Sequence, residues 1–194
     1  MYSGIVLKKY IITFIVLVIV GLLGNSIYTQ MTKDKVPGKA KRLECHKHAT
    51  TFERSYGIND LKNAQELLLS GNYKISSGID KATFMQSTLF DFVDMKQLDK
   101  KLASIILKDS KEIKQANQIV YVDYKVYEND KEDPKKKTDS CKLFRGYVVM
   151  KFKNQNNKIV YQVQIDFMDH EGKDIENALA CAIESFITYK EKEK

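Results

Sequence analysis

Cys45-His46-Lys47-His48 is the densest group of metal-capable side chains in this 194-residue sequence. A transition metal needs three or four thiolate, imidazole or carboxylate groups converging on one point, and His170 is the remaining imidazole that could join. Adjacent residues rarely reach one ion together, so Cys45, His46 and His48 rank as weak metal ligands, and no cofactor is expected. Asp169-His170-Glu171 is the second such group. Its flanking carboxylates favour a charged imidazole, which suits an acid/base pair or a pH sensor. No Ser or Cys nucleophile in a recognisable context accompanies it. The sequence also lacks a glycine-rich phosphate loop, a zinc-protease helix and a paired-cysteine motif. The reading is therefore non-enzymatic, with no catalytic residue assigned.

Cys45, Cys141 and Cys181 are an odd number at no metal spacing. In an exported domain one disulfide and one free thiol can form, with three pairings open; three idle thiols are the alternative. Cys141 precedes an expected strand and Cys181 lies in the last expected helix. A strand-to-helix staple between Cys141 and Cys181 is the preferred pair.

The elements that must position these groups follow a long apolar run. Residues 10–28 carry no charge and are bounded by Tyr10 and Tyr28, as a bilayer-spanning helix with interfacial tyrosines would be. A signal peptide would share the basic Lys8-Lys9 start, but no small-x-small cleavage site follows, so an uncleaved anchor is favoured. Lys33, Lys35, Lys39, Lys41 and Arg42 in the linker 29–44 would lie near anionic headgroups. Lys8 and Lys9 argue for a cytoplasmic amino terminus and an exported domain, whereas the linker charges argue for the opposite. The exported arrangement is preferred. The expected organisation is a basic tail 1–9, an anchor 10–28, a linker 29–44, a domain 45–190 and a charged tail 191–194.

Within that domain, Asn59 can cap a helix bearing Leu61, Ala64, Leu67 and Leu68 and ending at Gly71. Residues 79–93 form a second expected helix, and Lys96 to Gln115 a third, striped by Leu98, Leu102, Ile105, Ile106 and Ile113. The helical part therefore spans 58–115. From residue 119 the apolar period switches to two. Strands are expected over Ile119–Tyr127, Leu143–Lys153 and Lys158–Met168, with Glu128–Ser140 a solvated loop and Asn154–Asn157 a turn. Asp174 caps a final helix whose face is Ile175, Ala178, Leu179, Ala182, Ile183 and Phe186. The fold class is α+β: a transmembrane helix, then about three helices, a three-stranded antiparallel meander and a C-terminal helix across it, the sheet-plus-helix part spanning 119–190.

Net charge is +7, and lysines supply all but three of the 32 basic residues. Acidic residues interleave with them and no helix carries a continuous basic face, which excludes nucleic acid as a partner. If one helical layer covers the sheet, Tyr147, Val149, Val160 and Met168 are left as contact surface; coverage of these residues by the helical first half is the alternative, and the favoured one. The expected function is a single-pass membrane-anchored protein with a small interaction domain in a cell-envelope assembly, its partners being the bilayer through 10–28 and one or more proteins. A membrane-tethered sensor or accessory domain binding a ligand or metal, in a groove between the first helices and the sheet, is the alternative. The order strand, hairpin, strand and Ala-rich helix over 141–187 is similar to the carboxy-terminal modules of the TonB and TolA energy-transducing proteins. The whole arrangement also resembles periplasmic domains of conjugation and type IV secretion core proteins. Neither resemblance rests on a residue motif, so neither assigns a site.

Overall fold

The computed structural model describes residues 42–110, 115–136 and 138–190. In chain order the elements are α1 (Cys45–His48), β1 (Thr51–Ser55), α2 (Ile58–Leu69), β2 (Tyr73–Asp80), α3 (Met95–Asp109), β3 (Val120–Glu128), β4 (Gly146–Lys153), β5 (Ile159–Phe167) and α4 (Ile175–Ile187). The strands form one five-stranded sheet in the order β1-β5-β4-β3-β2. Contacts β3-β4, β4-β5 and β5-β1 are antiparallel, and β2 runs parallel to β3. Parallel neighbours need a crossover, which α3 supplies.

The expected three-stranded antiparallel meander is therefore corrected to a five-stranded mixed sheet. The two strands missed are the edges. β1 is five residues long and points its one large apolar side chain, Phe52, outward at 63% exposure, so no buried alternation marks it. β2 does alternate through Tyr73, Ile75 and Ile79, but Ser77 and Gly78 interrupt the pattern and five of its eight residues are exposed. The expected second helix over 79–93 is absent; β2 takes its start, and only the short 3-10 turn Leu89–Asp91 is helical in the rest. The backbone of this segment is satisfied from a distance instead. Glu128 accepts the N–H groups of Ala82, Thr88 and Leu89 at 3.0–3.2 Å, and Asp130 accepts those of Thr83 and Phe84 at 2.6 Å. Carboxylates some 40 residues away in sequence compete with the helical ladder, which local periodicity cannot reveal.

The expected transmembrane helix at 10–28 lies outside the described residues, as do Tyr10, Tyr28, Lys33, Lys35, Lys39, Lys41 and the tail 191–194. Among the described residues no helix is long and apolar enough to cross a membrane. The expectations of a membrane-spanning helix as part of the fold and of single-pass membrane location are corrected accordingly.

One face of the sheet holds the core. Val120, Val122, Tyr124 and Val126 of β3, Val148, Met150 and Phe152 of β4, and Tyr161, Val163 and Ile165 of β5 are at most 1% exposed. α2, α3 and α4 pack into the same cluster through Leu61 and Leu68, Leu102 and Ile106, and Leu179, Ile183 and Phe186. Phe186 stacks on Phe152 with ring centroids 3.7 Å apart. α2 begins after Gly57 rather than at an Asn59 cap. Asp174 precedes α4 but turns its carboxylate to the N–H groups of Met168 and Asp169 at 2.7 and 3.1 Å, closing the β5-α4 corner instead of capping the helix.

The β4-β5 turn is built from asparagine chemistry. Asn154 Oδ1 accepts the N–H groups of Asn156 and Lys158, and Asn157 takes φ 60°, a left-handed conformation that Asn tolerates. Val160 is the extra residue of a β-bulge against Phe152 and Lys153, and it is buried.

Candidate functional site

Three groupings of polar or reactive side chains stand out: a latch beside the disulfide, a buried ion pair at the loop end, and the sheet face opposite the helices.

In the latch, the disulfide joins Cys45 to Cys181, with Cα atoms 5.8 Å apart. The expected Cys141–Cys181 pair is corrected: Cys141 is exposed and free, with Thr138 Oγ1 3.1 Å from its sulfur. Cys141 sits in the loop before β4, whereas α1 lies directly against α4, and only geometry distinguishes these choices. Arg42 grips Glu53 through two nitrogens at 3.1 and 2.6 Å and donates to the Ser185 carbonyl at 2.7 Å and Thr188 Oγ1 at 2.6 Å. Tyr161 donates to the same carboxylate at 2.5 Å. Burial pushes the Glu53 carboxyl up, but the hydrogen bonds from Arg42 and Tyr161 outweigh it and hold the group below its ordinary value. Burial, reinforced by Glu53, raises the Tyr161 phenol. Arg42, expected at a headgroup surface, is thus engaged by the fold.

The weak metal set does not converge. Cys45, His46 and Cys181 do place ligand atoms within 4.8 Å of one another, but both sulfurs are spent in the disulfide and offer no thiolate. His46 is buried, with Nε2 2.7 Å from Ser185 Oγ, and His48 is exposed beside Glu44. Asp169-His170-Glu171 is a tight turn in which Asp169 Oδ1 accepts the N–H groups of Glu171 and Lys173. The His170 ring is exposed there, and its carbonyl accepts from Arg145.

The buried ion pair is Arg145–Glu128, at 3.1 Å with both side chains nearly inaccessible. Arg145 also donates to Thr88 Oγ1 at 2.8 Å, so one pair fastens β3, β4, the 81–94 segment and the β5-α4 corner. Burial pushes the Glu128 carboxyl up; hydrogen bonds from Ser87 and from the Leu89, Thr88 and Ala82 N–H groups prevail and lower it. Next to it, Gly146 has no room for a side chain, because a Cβ would lie 2.3 Å from the Tyr127 carbonyl and 2.4 Å from Phe167 Cζ.

The third grouping is the sheet face that the three long helices leave uncovered. Register places Asp80, Tyr127, Tyr147 and Asp166 in one row across β2-β3-β4-β5. The next row is Gly78, Lys125, Val149, Gln164 and Phe52, followed by Ser76, Asp123, Lys151, Gln162 and Arg54. Tyr127 and Tyr147 stack at 4.8 Å, and Phe144 meets Tyr147 edge-on at 6.2 Å. Burial, with Tyr127, Asp80 and Asp166 nearby, raises the Tyr147 phenol. The Lys125 stem lies over Gly78, where a side chain is missing. Asp123 pairs with Lys153, while Lys74, Lys125 and Lys151 have no ion-pair partner among the described residues. Asp166 is 9% exposed with Oδ1 unpartnered, and burial pushes its carboxyl up.

Of the expected contact residues, Tyr147 and Val149 lie on this face, half-buried; Met168 sits one residue beyond β5 at 62% exposure; Val160 is in the core. The basic and aromatic neighbours on β3 were missed, although their alternation with the buried residues already placed them on the outward side. Two depressions accompany the sheet. One of about 140 Å³ lies between α2 and the β4-β5 turn, lined by Asp60, Asn63, Gln118, Asn154 and Asn156. The other, of about 190 Å³, is on the open face among Lys125, Tyr127, Val149 and Lys151. Both fall short of the roughly 300 Å³ at which small-molecule pockets begin.

No family model matches the chain, and no curated protein matches it in sequence. Among solved structures it is similar to a PelC dodecamer from Paraburkholderia phytofirmans, at 11% identity, covering 72% of this chain and 95% of that one with a TM-score of 0.36. At that distance the likeness carries no functional argument.

Proposed function

We propose that this chain is a non-enzymatic interaction domain of a cell-envelope assembly, and that it offers the open face of its sheet to an acidic protein partner. The observation that carries the reading is a stacked Tyr127–Tyr147 pair with Lys125 in the next row and Lys151 in the one after it on the same face, neither neutralised by an ion pair among the described residues. Aromatic anchors with unpaired cations in the adjoining rows of the same face suit a contact surface for a partner that brings acidic groups to those rows. The Cys45–Cys181 disulfide supports an oxidising compartment, where envelope proteins fold.

The test is a photocrosslinking residue at Val149 in cells, with Leu107, 60% exposed on α3, as the comparison position. An adduct at Val149, missing at Leu107 and lost in the Lys125→Glu/Lys151→Glu protein, is the expected result. An adduct indifferent to the charge reversal, or none at all, refutes the reading.

A further inference from the structure

β2 is an eight-residue edge strand, and its outer side is bare. The Val120 N–H donates to the Asn72 carbonyl at 3.0 Å, so even-numbered residues of this strand turn their backbone groups toward β3. Tyr73, Ile75, Ser77 and Ile79 therefore point their N–H and C=O groups away from the sheet. None of these eight groups has a backbone partner among the described residues. Natural edges are guarded by proline, bulges, short length, inward charges or edge lysines; the run Tyr73-Lys74-Ile75-Ser76-Ser77-Gly78-Ile79-Asp80 has no proline, bulge or inward charge, and its two charges, Lys74 and Asp80, are of opposite sign.

We infer that this edge pairs with the same edge of a second copy of this chain, antiparallel and centred on Ser77. Backbone parity and side-chain complementarity together select that register. Directly opposed residues must share a face, which demands that their numbers sum to an even value. An even sum also sets odd residues against odd, so the outward-pointing backbone groups oppose one another, and the side-chain pairs must then be complementary. Centring on Ser77 satisfies both and places Ser77 against its own copy, Ile75 against Ile79, Ser76 against Gly78 and Lys74 against Asp80. By twofold symmetry this makes two apolar pairs on the core side and two opposite-charge pairs on the open side. Lys74 and Asp80 have no other ion-pair partner among the described residues, and Ile79, 41% exposed, becomes covered. Centring on Ser76 meets the same backbone rule but sets Lys74 against Gly78 and Asp80 against Asn72, so both charges are left without a partner. The result is one ten-stranded sheet whose tyrosine–lysine face stays uncovered, so the pairing is compatible with the open-face partner and does not depend on it.

The test uses the full chain with Cys141→Ser to remove the exposed thiol. Sedimentation velocity should show a concentration-dependent dimer. Lys74→Asp sets Asp against Asp80 and Asp80→Lys sets Lys74 against Lys, so each alone should weaken the dimer by about tenfold or more. Mixing the two variants restores both opposite-charge pairs and should regenerate a heterodimer. Under mild oxidation Ser77→Cys should crosslink to its own copy, while Ser76→Cys, roughly 8 Å from its own copy in this register, should not. A monomer at all concentrations, a dimer indifferent to both charge reversals, a mixture that fails to recover, or equal crosslinking at 76 and 77 overturns the inference.

Discussion

Reducing the Cys45–Cys181 bond should lower the melting temperature by an amount set by the length of chain it closes. The two cysteines are 136 residues apart, so the bond ties the first described helix to the last. The loop-closure entropy removed from the unfolded chain corresponds to about 5 kcal/mol, and losses on removing native disulfides run from about 2 to 5 kcal/mol. For a domain of this size each kcal/mol shifts the midpoint by roughly 2–4 °C, which sets the expected fall at about 5–20 °C. The native fold should survive at low temperature, because Arg42–Glu53, the Tyr161 hydroxyl and the β1-β5 pairing still hold the segment in place. Thermal unfolding followed by circular dichroism with and without reductant measures the shift. Cys45→Ser and Cys181→Ser should reproduce it without reductant, and Cys141→Ser should leave the oxidised protein unchanged. A fall below about 2 °C, or a loss on Cys141→Ser equal to that on Cys45→Ser, refutes the reasoning. Non-reducing peptide mapping checks the pairing directly.

Glu128→Ala should cost about 3–5 kcal/mol, since it strands the buried Arg145 guanidinium and frees three backbone N–H groups; denaturant unfolding measures it. Glu128 and Glu53 both titrate below their ordinary values in the folded state. Their contribution to stability is therefore complete above the unfolded carboxyl pKa of about 4.3 and is lost as pH falls through the lower folded values. A midpoint that stays flat from pH 5 down to pH 2 would contradict this. Asp166 has the opposite sign: its folded carboxyl is raised by burial, so its charge opposes folding at neutral pH. Asp166→Asn should stabilise the protein by about 1 kcal/mol, and a lower melting temperature at pH 7 would show that the unpartnered oxygen is not a liability.

The alternation in 120–167 and the spacing of Leu61, Ala64 and Leu68, of Leu102 and Ile106, and of Leu179, Ile183 and Phe186 were legible without coordinates. Each of these elements buries one face, and a single buried face imposes a period of 2 or 3.6 on the residues themselves. The outward parity of Tyr147, Val149, Lys125 and Lys151 follows from the same rule. What only the tertiary structure decided is everything that joins parts distant in the chain. β1 and β2 are edge strands whose exposed residues bear no strong pattern, so their identity comes from pairing with β5 and β3. The 81–94 segment lost its expected helix to Glu128 and Asp130, which satisfy its backbone from the far end of β3. Cys45 rather than Cys141 reached Cys181 because α1 lies against α4, and a disulfide forms between neighbours in space, whatever their order in the sequence.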